Sequence, residues 1–226
     1  PPFRCASPPS SVKTLIVGDV HGCLEELEML VAKAGLQHED RLVLVGDLVA
    51  KGPDSAGVVR YARERRAFSV CGNHDAHWLS ARVDGKGASL SDADWAYLER
   101  APDRLRFDLS PIYKGIQRHV VHVVHAGFVP GVALQSQDPH MMKNMRTLHD
   151  GAASSKANGE PWAAHWPGPE LVVFGHDAAR GLQEHPHALG LDTGCCYGGE
   201  LTGALIDDER LQLISVTAKA VYKAIS

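Results

Sequence analysis

The chain has 226 residues, 44% hydrophobic and 22% charged, with a formal net charge of −4. That is enough apolar material for one α/β domain with a large core, expected over residues 13–226 behind a flexible proline- and serine-rich lead-in over 1–12. The acidic balance excludes a general attraction to nucleic acid or anionic membrane. No apolar run approaches the roughly 18 residues that span a bilayer. Neither an extended nucleic-acid surface nor a membrane is expected as a partner; an intracellular, cytoplasmic location is, and oligomeric state is left open.

Residues 14–17 form a short apolar run of β type that ends at Gly18. Leu24, Leu27, Leu30, Val31 and Ala34 then recur at helical spacing, and Gly35 is placed to stop the helix. Residues 42–45 repeat the strand pattern and end at Gly46. Asp54 or Ser55 caps a second helix running to about Arg66, and 68–70 leads to Gly72. This β-α-β-α-β order predicts parallel strands with right-handed crossovers and ligands at their carboxyl ends. Ser91 and Asp94 read as a capping box for a helix to about Arg100. Residues 105–109 alternate, 120–124 form a buried strand ending at His125, and 171–174 another ending at Gly175. Residues 135–170 read as a long irregular excursion, functional or simply solvated, holding Arg146, Trp162, His165 and Trp166. Short strands follow near 189–192, 201–207 and 211–216. Few helical patterns lie among them, so a mixed or second packed sheet with helices outside is expected, a layered α/β sandwich.

The strand ends carry the chemistry. Gly18-Asp19-Val20-His21-Gly22, Gly46-Asp47, Gly72-Asn73-His74-Asp75, His125-Ala126-Gly127, Gly175-His176 and, less clearly, Asp192-Thr193-Gly194 each set a metal-ligating side chain beside a glycine. Runs ending at a common edge aim such residues at one point, and glycines let backbone pass close to bound ions. Carboxylate, imidazole and amide oxygen suit hard or borderline divalent ions. Asp19 and His21 can reach one ion, Asp47 can bridge two, and Asn73, His125 and His176 complete the second site. Two ions roughly 3.5–4 Å apart hold a hydroxide and neutralise a phosphoryl group under in-line attack, so the pattern reads as a two-metal hydrolase. In an extended segment His74 points away from Asn73 and suits a general acid. Asp75 either orients His74 or caps the following helix. Lys51 and Arg146 are candidate phosphate clamps, with Asn73 a further phosphate contact.

The five cysteines form no CxxC pair. They read as small buried residues of a reduced protein, and their spacing gives no zinc-thiolate site. Redox control by Cys195 and Cys196 is the alternative to burial.

The blocks Gly-Asp-Val-His-Gly, Gly-Asp-Leu-Val-Ala-Lys-Gly-Pro, Gly-Asn-His-Asp, His-Ala-Gly and Phe-Gly-His, in order from about Leu15 to Asp207, resemble the signatures of the phosphoprotein phosphatase family of metallophosphoesterases. Within it the chain is most similar to the symmetrical diadenosine tetraphosphatases and the phosphatases related to them. The resemblance implies a four-layer α-β-β-α sandwich of the calcineurin-like type with mixed sheets, and attack by metal-bound hydroxide. It also implies two divalent or trivalent transition-metal ions, manganese first, with iron or zinc as alternatives. Carried over motif by motif, the ligands are Asp19, His21, Asp47, Asn73, His125 and His176, with His74 as proton donor.

One departure speaks to substrate. Protein Ser/Thr phosphatases of this family have Asp-Arg where this chain has Ala50-Lys51. The arginine grips phosphate in bidentate fashion, where lysine offers a point charge. The aspartate orients the catalytic histidine, and its loss costs less when the leaving group is a phosphate, whose last pKa is about 6. The expected substrate is a small-molecule phosphoanhydride, with diadenosine tetraphosphate split symmetrically to nucleoside diphosphates as the named reaction. Inorganic polyphosphate and capped RNA ends share that chemistry. A phosphatase of phosphoserine, phosphothreonine or phosphotyrosine is the alternative, and a silent metal-bound scaffold a third reading. Trp162, Trp166 or Tyr197 either stack on a base or serve packing.

Overall fold

A computed structural model describes residues 12–82 and 89–224, so the expected lead-in lies outside the described residues apart from residue 12. Strands β1 (Thr14–Val17) and β2 (Arg41–Leu44) pair in parallel through the crossover helix α1 (Leu24–Lys33). Helix α2 (Ser55–Glu64) returns the chain to β3 (Phe68–Ser69), parallel to β2. Asp54 supplies the cap of α2, accepting from Gly57 N at 2.7 Å. Helices α3 (Asn73–Ser80) and α4 (Asp92–Glu99) follow, the latter opened by the expected box, in which Ser91 Oγ and the Asp94 carboxylate bond each other's backbone N–H. Then come β4 (Arg104–Phe107), β5 (Ile112–Tyr113), β6 (Ile116–Gln117) and β7 (Val121–Val124).

The stretch expected to be irregular holds more structure than its composition shows. It contains α5 (Pro139–Asn144), β8 (Thr147–His149), β9 (Ala152–Ser154) and β10 (Glu160–Pro161), and these strands form a small sheet of their own. Trp162 donates its ring N–H to Ala126 O at 2.9 Å and, with Trp166, packs against Phe128 and Phe174, so both tryptophans are core residues. The chain ends with β11 (Leu171–Phe174), β12 (Gln183–Glu184), β13 (Ala188–Gly190), β14 (Glu200–Asp207) and β15 (Arg210–Thr217).

Two mixed sheets stack face to face. One has the order β3-β2-β1-β14-β15-β5-β6, the other β12-β13-β11-β7-β4. Their inner strands are apolar at consecutive positions because both faces are covered. Leu15 and Val17 pack towards α1 and α2 while Ile16 faces the second sheet. Leu171 and Val173 fill the same interlayer, and Val172 and Phe174 face the Trp162 side. The result is the four-layer α-β-β-α sandwich. No helix among the described residues is long and apolar enough to cross a membrane.

Candidate metal centre

The loops leaving β1, β2, β7 and β11 meet at one edge of the sandwich, and two glycines make the meeting sterically feasible. A Cβ on Gly72 would collide with the Asp47 carboxylate, and one on Gly175 with that of Asp19. The ligand loops also hold non-glycine residues in the left-handed region: His21 at φ 45°, Asp47 at 52° and His176 at 71°. Such backbone costs about 1–3 kcal/mol per residue and persists only where the surroundings enforce it.

Hydrogen bonds fix which atom of each imidazole faces inward. His21 Nδ1 donates to Val49 O at 3.0 Å and His125 Nδ1 to Val45 O at 2.8 Å. Each neutral ring is left with a lone pair on Nε2. His176 donates through Nε2 to Asn144 O at 3.2 Å, which leaves Nδ1. The inward atoms then meet other acceptors. His21 Nε2 lies 3.4 Å from Asp47 Oδ2 and 3.9 Å from Asp19 Oδ2. His125 Nε2 lies 3.5 Å from Asp47 Oδ1 and 3.0 Å from Asn73 Oδ1. Asp19 Oδ2 is buried with no hydrogen-bond partner. The Lys51 ammonium meets one of these acceptors, His21 Nε2, and the others in the buried cluster call for a further cation, so the donor set fits metal ions. Asp47 belongs both to a group with His21 and His74 and to one with His125 and His176, the ligand atoms of each within 4.8 Å of one another.

Electrostatics agree. Burial pushes the Asp47 carboxyl up to about 7. Burial, then the neighbouring Asp192 and Asp47 carboxylates, hold Asp19 well above the usual range. Burial drives His125 and His74 down to about 4, with Lys51 among the further causes for each. Asp192 is a carboxylate that strand-end spacing placed only loosely; it is buried against this cluster and raised, by burial first, to about 6.

The expected clamps share one wall. Lys51 and Arg146 line a cavity of about 590 Å³ with His176, Asp192 and Tyr197. Lys51 Nζ donates to His21 Nε2 at 2.8 Å and sits 5.2 Å over the Tyr197 ring, so Tyr197 supports the lysine. Arg146 reaches Ser155 O at 3.0 Å and His176 O at 3.4 Å. Its neighbour Asp177 escaped the sequence reading: its carboxylate takes Arg180 Nη1 at 2.5 Å and lies 3.7 Å from Arg146 Nε. Because Arg180 also bonds Ala157 O and Gly159 O, this trio fastens the small β-sheet to the His176 loop.

Two expectations change. Asn73 and His74 open helix α3 and are not in an extended segment, so His74 stays with the cluster, its ring edge-on to His21 at 5.0 Å. Of the two roles weighed for Asp75, its bonds go to capping: Oδ2 accepts from Gly72 N at 3.0 Å, and Oδ1 from Leu48 N at 2.9 Å and Val49 N at 3.3 Å. Asn73, His74, His77, His140 and Lys143 line a second cavity of about 620 Å³.

A four-layer sandwich with this cluster on its edge defines a metal-dependent phosphoesterase, and residues 12–214 match the model of the calcineurin-like phosphoesterases; the chain belongs to that family and is a hydrolase. Membership implies divalent metal ions. Curated relatives include the asymmetrical bis(5'-nucleosyl)-tetraphosphatase PrpE of Oceanobacillus iheyensis, 28% identical over 94% of this chain and 95% of that protein. The symmetrical bis(5'-nucleosyl)-tetraphosphatase of Shewanella sediminis is 31% identical over 82% of this chain and 92% of its own length. A crystal structure described as that of a candidate diadenosine tetraphosphatase superposes with a TM-score of 0.80 at 38% identity, covering 94% of this chain and 96% of that one.

Proposed function

We propose that the chain is a two-metal phosphoanhydride hydrolase that cleaves dinucleoside tetraphosphates symmetrically to nucleoside diphosphates. Asp19, His21, Asp47, Asn73, His125 and His176 would hold the ions, manganese first, with Asp47 shared. When bound, the ions supply an activated water and offset phosphoryl charge. Lys51 and Arg146 orient the phosphate chain from one wall, and Asn73 and His74 face it from the other.

The observation that carries this reading is the state of His74. Ala50 offers no carboxylate, the Asp75 carboxylate is taken by backbone N–H groups, and burial holds the imidazole near 4. At neutral pH His74 is therefore a neutral ring that can donate an N–H to a leaving oxygen but holds no spare proton. A serine or threonine alkoxide needs a full proton to leave; a nucleoside diphosphate does not. Two cavities bordered by different residues of the cluster leave room for groups flanking a phosphate chain, which supports a dinucleotide over a simple monoester.

The test offers diadenosine tetraphosphate, inorganic polyphosphate and a phosphothreonine peptide separately to manganese-loaded protein. ADP as sole product is expected. ATP with AMP would replace symmetrical by asymmetrical cleavage. Phosphate from the peptide with the dinucleotide untouched would sink the anhydride reading.

A further inference from the structure

The fold assembles a second cluster that spacing along the chain does not reveal. Cys23 stands immediately before α1, Glu26 lies in the first turn of α1, and Cys195 belongs to the turn after Asp192. The two Sγ atoms and one carboxylate oxygen of Glu26 lie within 4.8 Å of one another, and each residue is at most 2% exposed. Neither thiol is in a disulfide.

Glu26 is the informative member. Its Oε1 accepts from Tyr222 Oη at 2.7 Å and from Lys219 N at 2.9 Å, both on the C-terminal segment that closes over this face. Its Oε2 is buried with no partner. The nearby Lys219 ammonium pairs with Glu25 instead. Among the described residues, then, no basic side chain is bonded to a fully buried carboxylate lying against two thiols. A buried carboxylate with a free oxygen is costly unless it takes up a proton or a cation meets it.

We propose that Cys23, Glu26 and Cys195 form a structural cation site, separate from the catalytic centre, for a thiophilic divalent ion of the zinc type. Two sulfurs and one oxygen supply three of the four ligands zinc usually takes and disfavour the harder ions that an oxygen-and-imidazole centre takes. Binding releases the two thiol protons to solvent and forms two metal–sulfur bonds; no redox step is involved. The ion would join the start of α1, two residues past His21, to the turn after Asp192 and to the C-terminal segment. It would thus brace the loop that carries a catalytic ligand from behind.

Cobalt(II) titration of the reduced, metal-stripped full chain tests this, read by the near-ultraviolet thiolate-to-cobalt charge-transfer band. The catalytic donors contain no sulfur and cannot produce it. The expected result is a saturable band that is displaced by zinc, survives in Asp47→Asn and in Cys196→Ser, and is lost in Cys23→Ser and Cys195→Ser. Absence of the band in reduced wild-type protein overturns the proposal without reference to any variant's folding. So does a band that persists in both Cys23→Ser and Cys195→Ser.

Discussion

Asp47 and Asp75 sit in the same corner of the molecule, both buried, and burial raises both carboxyls to similar degrees, to about 7 and about 6. Their partners separate them. Asp75 spends its oxygens on three backbone N–H groups and holds the loop after β2 against the start of α3. Asp47 takes one backbone N–H, from His74 at 2.9 Å, and otherwise faces imidazole lone pairs. A perturbed titration therefore marks burial in either case, and the unmet acceptor marks the metal-facing one. Substitution should pull the two apart. Asp47→Asn is expected to lower kcat/KM by roughly 10³-fold or more, as loss of several kcal/mol of metal-borne charge stabilisation requires. The same variant should raise the thermal midpoint of the metal-free protein at pH 8, because it removes an uncompensated buried charge. If metal-free Asp47→Asn melts lower than wild type at that pH, Asp47 is structural.

Asp75→Ala should do the reverse, costing about 3 kcal/mol of stability in a denaturant melt through orphaned N–H groups and a lost cap. Activity per folded molecule should fall much less than in Asp47→Asn.

The pH dependence sharpens the contrast further. Asp47 is raised in the folded, metal-free protein from 3.8 to about 7. Its contribution to metal-free stability is thus fully present below about 4 and is lost as pH rises through about 7. Metal must displace that proton, so metal affinity should weaken by up to about tenfold for each pH unit below 7. Calorimetric manganese titrations in buffers of different ionisation enthalpy should register more proton release at pH 6 than at pH 8.5. Equal release at both would show that Asp47 is already ionised.

How much of this was legible follows the same division. β1, β2, β7 and β11 could be read because strands covered on both faces are apolar at most positions, with Thr14, Arg41 and His122 the exceptions, and the ligands follow them directly. Helix α3 was misread at its start. The position before it holds Gly72, since the Asp47 carboxylate occupies the space a serine or threonine cap would need, so the usual sequence mark is missing. The small sheet of β8, β9 and β10 left no periodic signal in segments such as Ala152–Ser154 and Glu160–Pro161. Glu26 owes its role to Tyr222, distant in sequence, and Asp177 joins the local Arg180 to the distant Arg146, links that no local pattern encodes.

Position 50 offers the smallest effect and the most specific. Ala50 has φ 70°, a conformation that aspartate tolerates better than alanine, so Ala50→Asp should fold without penalty. A carboxylate there restores the element that orients the histidine in the family's protein phosphatases and favours a protonated His74. On an alkyl phosphomonoester, where the leaving oxygen needs a proton, kcat should rise, within the roughly 10²-fold that general acid catalysis supplies. On diadenosine tetraphosphate it should change by less than about threefold, since a phosphate leaving group gains little from the same proton. A parallel rise on both substrates would mean that His74 already limits anhydride cleavage, and that the neutral ring at about 4 is not what selects the substrate.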